Sequence, residues 1–100
     1  LYGTFWNTSD IIGCSLDVDS KTIQFSKNGT DLGIAFTDIS TTNGKLIPFF
    51  GLSKRSKFLI NFGKDPFAFQ KDGFYPLHLI LTEKEVDQLF TVPFCFTCCF

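Results

Sequence analysis

The chain has no methionine, a single histidine, a single tryptophan and no surplus of positive charge. Each shortage removes a class of function. Nine basic residues against ten acidic ones, scattered along the sequence, leave a net charge of −1, so the cationic footprint that nucleic acids and anionic membranes require is missing. The one histidine, His78, lies between Leu77 and Leu79 with no serine, cysteine or carboxylate at a catalytic spacing, which argues against acid–base and nucleophilic chemistry. No enzyme is expected. No apolar run approaches the ~18 residues of a membrane-spanning helix, because Lys, Asp or Glu interrupts each candidate. The chain opens on Leu1 and Tyr2, directly into strand-like sequence with no signal-peptide pattern, and the expectation is a piece of a longer polypeptide.

Cysteine is also sparse and unevenly placed. Of the four, Cys95, Cys98 and Cys99 fall within the last six residues and Cys14 stands far away, a poor arrangement for a stapling disulfide framework. The expected setting is therefore reducing and intracellular, cytoplasmic or nuclear. A structural zinc site needs four ligands, and Cys14 and His78 offer no second pair to match the tail, so neither metal nor cofactor is expected. A prenylation box fails because Thr97 occupies the fourth position from the end. Two sequons, Asn7-Thr8-Ser9 and Asn28-Gly29-Thr30, are too common by chance to move the protein outside the cell.

Apolar side chains, by contrast, are plentiful: they make up 44% of 100 residues, with fourteen phenylalanines, enough for one small domain with a single core. Their spacing is mostly that of strands. Ile12, Cys14, Leu16 and Val18 alternate with Gly13, Ser15 and Asp17, which predicts a half-buried strand. Asp17 to Lys21 reads as a turn, and its paired carboxylates Asp17 and Asp19 fit that role better than calcium binding or catalysis. Ile23 and Phe25 alternate next. Asn28-Gly29 supplies the pair a two-residue hairpin favours, since both central residues must take positive φ, and Leu32, Ile34 and Phe36 follow. The polar stretch from Thr37 to Lys45 is a connection, Leu46 to Leu52 a buried strand around Pro48, and Phe58, Ile60 and Phe62 a fifth strand. The five predict an antiparallel meander.

The last third reads differently. Phe67, Phe69 and Phe74 are spaced as plugs on the core, and Thr82-Glu83-Lys84-Glu85 has the pattern of a capping box, which predicts a short helix over Glu83 to Phe90 ended by Pro93. The division expected is a β domain over 1–77 and an extension over 78–100. Its tail, FCFTCCF, carries no clear period, and FTVPFCFTCCF as a whole reads as an accidental C-terminus of a truncated or misannotated gene product.

Several of these segments, in this order, resemble the SPRY family. YGTFWNTSDIIGCSLDVD is similar to its stretch of acidic residue, Ile-Gly-Cys and strand; TIQFSKNGTDLGIAF to its strand, Lys-Asn-Gly turn and strand; LIPFFGL and FLINFGKDPFAF to its last core strands. GIAFTDI with NFGKDPFAF resembles the Ran-binding-protein type, whose members sit in ubiquitin-ligase assemblies. The resemblance covers Tyr2 to Phe69. It implies an all-β, antiparallel, concanavalin-like β-sandwich, partial because the family's N-terminal strands are missing; sheet edges are then exposed, and either another chain supplies those strands or the sequence is incomplete. It also implies a non-enzymatic module that recognises a short peptide segment of a protein partner through loops, as a substrate adaptor. Two surfaces are candidates. One is the turn Ser53, Lys54, Arg55, Ser56 and Lys57, whose charge suits an acidic peptide; the other is the N-terminal segment with Tyr2, Phe5 and Trp6, aromatic anchors of the kind that dominate interfaces. A solvated turn and ordinary core packing of Trp6 are the plainer readings. A carbohydrate-binding sandwich, or a structural fragment without binding activity, are the other functions the pattern allows.

Overall fold

The computed structural model describes residues 2–39, 51, 57–78 and 94–99. Six strands follow in chain order: β1 (Ile11–Asp17), β2 (Thr22–Lys27), β3 (Thr30–Phe36), β4 (Leu59–Asn61), β5 (Tyr75–Pro76) and β6 (Phe94–Cys99). They form one sheet in the order β3-β2-β1-β6-β4, with β5 also paired to β6. The pairings are antiparallel except the short parallel contact of β5 with β6.

The first three strands follow the alternation of their sequence. Asp17 turns the chain out of β1, its Oδ1 accepting the N–H of Asp19 at 3.0 Å and of Ser20 at 3.4 Å, the local bonding that makes Asp a turn residue. At the β2–β3 turn Asn28 has φ 49° and Gly29 φ 86°, as a two-residue hairpin requires. The register sets Cys14 opposite Phe25 and Leu16 opposite Ile23. Beyond Gln24 the β2–β3 pairing shifts register, as a bulge does.

Two expectations are corrected. Among the described residues the fifth predicted strand is paired not with the hairpin but with β6: β4 sets Leu59 opposite Cys99 and Asn61 opposite Thr97. The tail that carries no period becomes β6 and lies against β1, with Ile12 opposite Cys98 and Ser15 opposite Cys95. Because Cys95 and Cys98 point to opposite faces and both are buried, β6 has no polar side to alternate with. The same holds for β1, where Ser15, expected to face outward, is buried and donates its hydroxyl to Gln24 O at 3.2 Å. The predicted helix over Glu83 to Phe90, and the strand from Leu46 to Leu52 apart from Gly51, lie outside the described residues.

One face carries the core. Leu16 and Leu77 are its centre, and Val18, Ile23, Ile39, Phe62 and Phe96 pack around them. Phe62 meets Phe96 edge to face at 5.5 Å, a favoured aromatic geometry. Burying Leu16 or Leu77 contributes roughly 1.5–3 kcal/mol each. The other face is covered by the segment after β4. Phe69 lies on Gly29, and Lys71 reaches Asp31 Oδ1 at 3.1 Å while sitting 5.2 Å from the Phe74 ring centre. Between this segment and the strands lies a cavity of about 30 Å³, edged by Gly13, Ser15, Ser26, Phe67, Cys95 and Thr97, large enough for a water molecule.

Candidate partner-binding surface

The segment 2–10 has no strand of its own, so its backbone groups must find partners elsewhere. Asn7 and Asp10 bond within the segment, the Phe5 carbonyl is met by a β2 side chain, and the Tyr2 side chain reaches β2 and β3. The Tyr2 hydroxyl donates to Gly33 O at 2.6 Å and accepts from the Phe25 N–H at 3.2 Å, and its ring meets that of Phe25 edge to face at 6.2 Å. Lys27 Nζ donates to Phe5 O at 2.9 Å. Each bond ties an irregular stretch to a strand that the hairpin already holds straight.

Asp10 and Asn28 close the other end. Asp10 Oδ2 accepts the Asn7 N–H at 2.7 Å and lies 3.6 Å from Lys27 Nζ. Asn28 uses both ends of its amide: Nδ2 donates to Asp10 Oδ1 at 3.0 Å, and Oδ1 accepts the Ile11 N–H at 2.9 Å. Its backbone N–H donates in turn to Ile11 O at 2.8 Å. The Asn7 N–H, then the Asn28 amide and Lys27, hold the Asp10 carboxyl below its ordinary pKa against the opposing effect of burial, because each stabilises the anion.

This network leaves aromatic surface in solvent. Phe5 is 93% exposed, Trp6 46% and Tyr2 44%, so ordinary core packing does not describe Trp6. Along β3, just past the Tyr2 contact at Gly33, Ile34 and Phe36 are each more than half exposed. The other predicted surface is less complete: Lys57 is exposed, and Ser53, Lys54, Arg55 and Ser56 lie outside the described residues. Reading the sequence singled out the aromatics and missed the residues that hold them. Asn28 reads from sequence as a turn former through its backbone, and no local pattern marks the role of its side-chain amide.

Burial pushes the Cys14 thiol up to about 12 and the Cys95 thiol to about 11, and raises that of Cys98; such thiols stay protonated near neutrality, where nucleophiles and metal ligands need the thiolate. Among the described residues no group of three or more His, Cys, Asp or Glu side chains is placed to hold a metal ion, and no helix is long and apolar enough to cross a membrane.

The family model of the SPRY domain matches residues 1–65. The chain belongs to the SPRY family. It is 43% identical over 82 residues to the E3 ubiquitin-protein ligase RKP of Arabidopsis thaliana, which covers 76% of this chain and 6% of that protein. It is 44% identical over 71 residues to the Ran-binding proteins 9/10 homolog of Drosophila melanogaster, covering 70% of this chain and 7% of that one. It is 40% identical over 77 residues to the ATP-dependent RNA helicase DDX1 of Xenopus laevis, covering 76% of this chain and 10% of that one. The chain thus spans a tenth or less of the length of these relatives. No solved structure matches. A unit that recurs beside a ligase and a helicase supports a protein-interaction module, and fold alone does not assign chemistry.

Proposed function

We propose that this SPRY chain recognises a short peptide segment of a protein partner with Tyr2, Phe5 and Trp6, held ready on the β2–β3 hairpin. The observation that carries the reading is the combination of exposed aromatic rings with a pinned backbone. Ordering a loop on binding costs affinity, and a segment already fixed by hydrogen bonds avoids much of that cost. Aromatic side chains on such a segment are the usual energetic centres of an interface. The basic sequence Ser53 to Lys57 is a second candidate contact, and its charge favours acidic residues in the peptide. Similarity to a protein named as an E3 ubiquitin ligase supports a substrate-adaptor role within an intracellular assembly, in which other parts of the polypeptide supply the chemistry.

A peptide array probed with the protein, followed by titration of selected peptides, tests this directly. Trp6→Ala is expected to weaken a selected peptide by about 2 kcal/mol, on the order of thirtyfold, as loss of a central aromatic anchor does. Replacing Lys54, Arg55 and Lys57 together by Glu should weaken acidic peptides selectively. If selective peptides bind the wild type and the folded Trp6→Ala and Phe5→Ala variants equally, this surface is the wrong one; if no peptide binds selectively, peptide recognition itself falls.

A further inference from the structure

Asn28 is followed by Gly29, and both are exposed with positive φ at the tip of the hairpin. That dipeptide is chemically vulnerable, because no Cβ on the following residue shields the backbone nitrogen that can attack the side-chain amide. Here the same side chain is also the clasp between the hairpin and the aromatic segment, through Asp10 Oδ1 at 3.0 Å and the Ile11 N–H at 2.9 Å. We infer that Asn28 is a modification site, and that conversion of its amide to a carboxylate releases the segment bearing Tyr2, Phe5 and Trp6.

The chemistry needs only water. The Gly29 backbone nitrogen loses its proton and bonds to Asn28 Cγ; the bond from Cγ to the side-chain nitrogen breaks, and that nitrogen departs as ammonia. Water then opens the resulting five-membered imide at one of its two carbonyls, leaving aspartate or isoaspartate. No oxidation or reduction occurs. An aspartate at this position can still accept from Ile11, but it has lost the donor that faced Asp10. Two carboxylates now stand where a donor met an acceptor, and like charges at that separation repel. An isoaspartate adds a backbone atom to a two-residue turn, which disturbs the hairpin as well.

The clasp that is broken also restrains the reaction. While Asn28 holds Asp10 and Ile11, its Cγ is fixed, and Phe69 crowds Gly29 closely enough that a Cβ there would lie 2.5 Å from Phe69 Cδ1. Attack therefore requires the clasp to open, and the modified fraction records how often the segment lets go. A partner that holds the segment down slows the conversion, a consequence that rests on the peptide-binding reading above.

The test follows the intact chain at mildly alkaline pH by tandem mass spectrometry, which distinguishes Asn28 from Asn43, another Asn-Gly position. Asn28 is expected to convert more slowly than in a free peptide spanning residues 24 to 32, and about tenfold faster in Asp10→Ala, which removes one of its bonds to a charged acceptor. An Asn28 that stays an amide, or a rate indifferent to Asp10→Ala, overturns the inference. Hydrogen exchange then reads the release. Asn28→Asp should lose protection of the order of tenfold at amides held by the clasp, among them Asn7 and Ile11. The exchanged pair Asp10→Asn with Asn28→Asp restores a donor facing an acceptor and should recover both folding and protection, so it carries the test even where Asn28→Asp alone unfolds. Full protection in Asn28→Asp, or no recovery in the pair, rejects the clasp. If release is seen and peptide binding is unchanged, the modification site stands and the aromatic surface does not.

Discussion

The two halves of the sheet are assembled on different principles. β1, β2 and β3 are neighbours in sequence and in space, joined by tight turns whose residues meet the geometry locally. β6 pairs with β1, β4 and β5, each distant from it in sequence, and lies between β1 and β4. In the first half a side chain answers mainly to its nearest turn; in the second it answers to packing from remote segments. The comparison teaches that glycine and cysteine have different work in the two: a backbone conformation at a hairpin tip on one side, and fit between distant surfaces on the other.

Substitutions can break or sharpen that contrast. The largest effect is expected at Gly63, which has φ 107° and whose added Cβ would collide with Pro76 Cβ in β5 and press Phe67. Gly63→Val combines strain with overpacking and should cost about 3 kcal/mol or more, read as a lowered urea midpoint. Gly29→Val also meets a positive φ and a crowding ring, but the ring belongs to Phe69, which is 44% exposed and able to swing away; a loss of about 2 kcal/mol is expected. A greater cost at Gly29 than at Gly63 would reverse the contrast. A smaller effect should come from alkali. The Cys14 thiol, ordinarily near 9.0, is raised to about 12 by burial and by neighbouring Cys98 and Cys95. Its folded form prefers the proton, so its contribution to stability is complete below pH 9 and is lost as the pH rises toward 12. Thermal midpoints should fall over that window, and less steeply in Cys14→Val. The smallest effect belongs to Trp6→Ala, expected to change stability by no more than about 0.5 kcal/mol because the ring is half in solvent, even as it removes the anchor proposed for a peptide.

The same contrast decides what could be read in advance. Alternation marks a strand with one wet face, and the strand from Ile12 was recognised that way although Ser15 proved to be buried. Asn28-Gly29 and Asp17 announced turns through residue types that few other local structures want. FCFTCC announced nothing, since a strand covered on both faces loses its period and cysteine is at home in many settings. Leu77, in the core, sits in a run of apolar residues that does not distinguish it from Leu79. At the candidate surface the rings of Tyr2, Phe5 and Trp6 were legible as types that anchor interfaces. Their supports were not, because Lys27 and Asp10 are ordinary surface charges until the fold brings them to 3.6 Å.

The position of β6 also sets an order of events for a chain being made. Ile11 cannot meet Cys99, nor Leu16 meet Phe94, until the whole stretch between them has left the ribosome. The early hairpin can form within microseconds of its synthesis, yet β1 must wait with one row of amides and carbonyls unpaired, open to any strand that passes. Closing so long a loop is slow relative to local pairing, so β1 stays open on that edge until β6 arrives, and a nascent chain in that state is one for chaperones to meet.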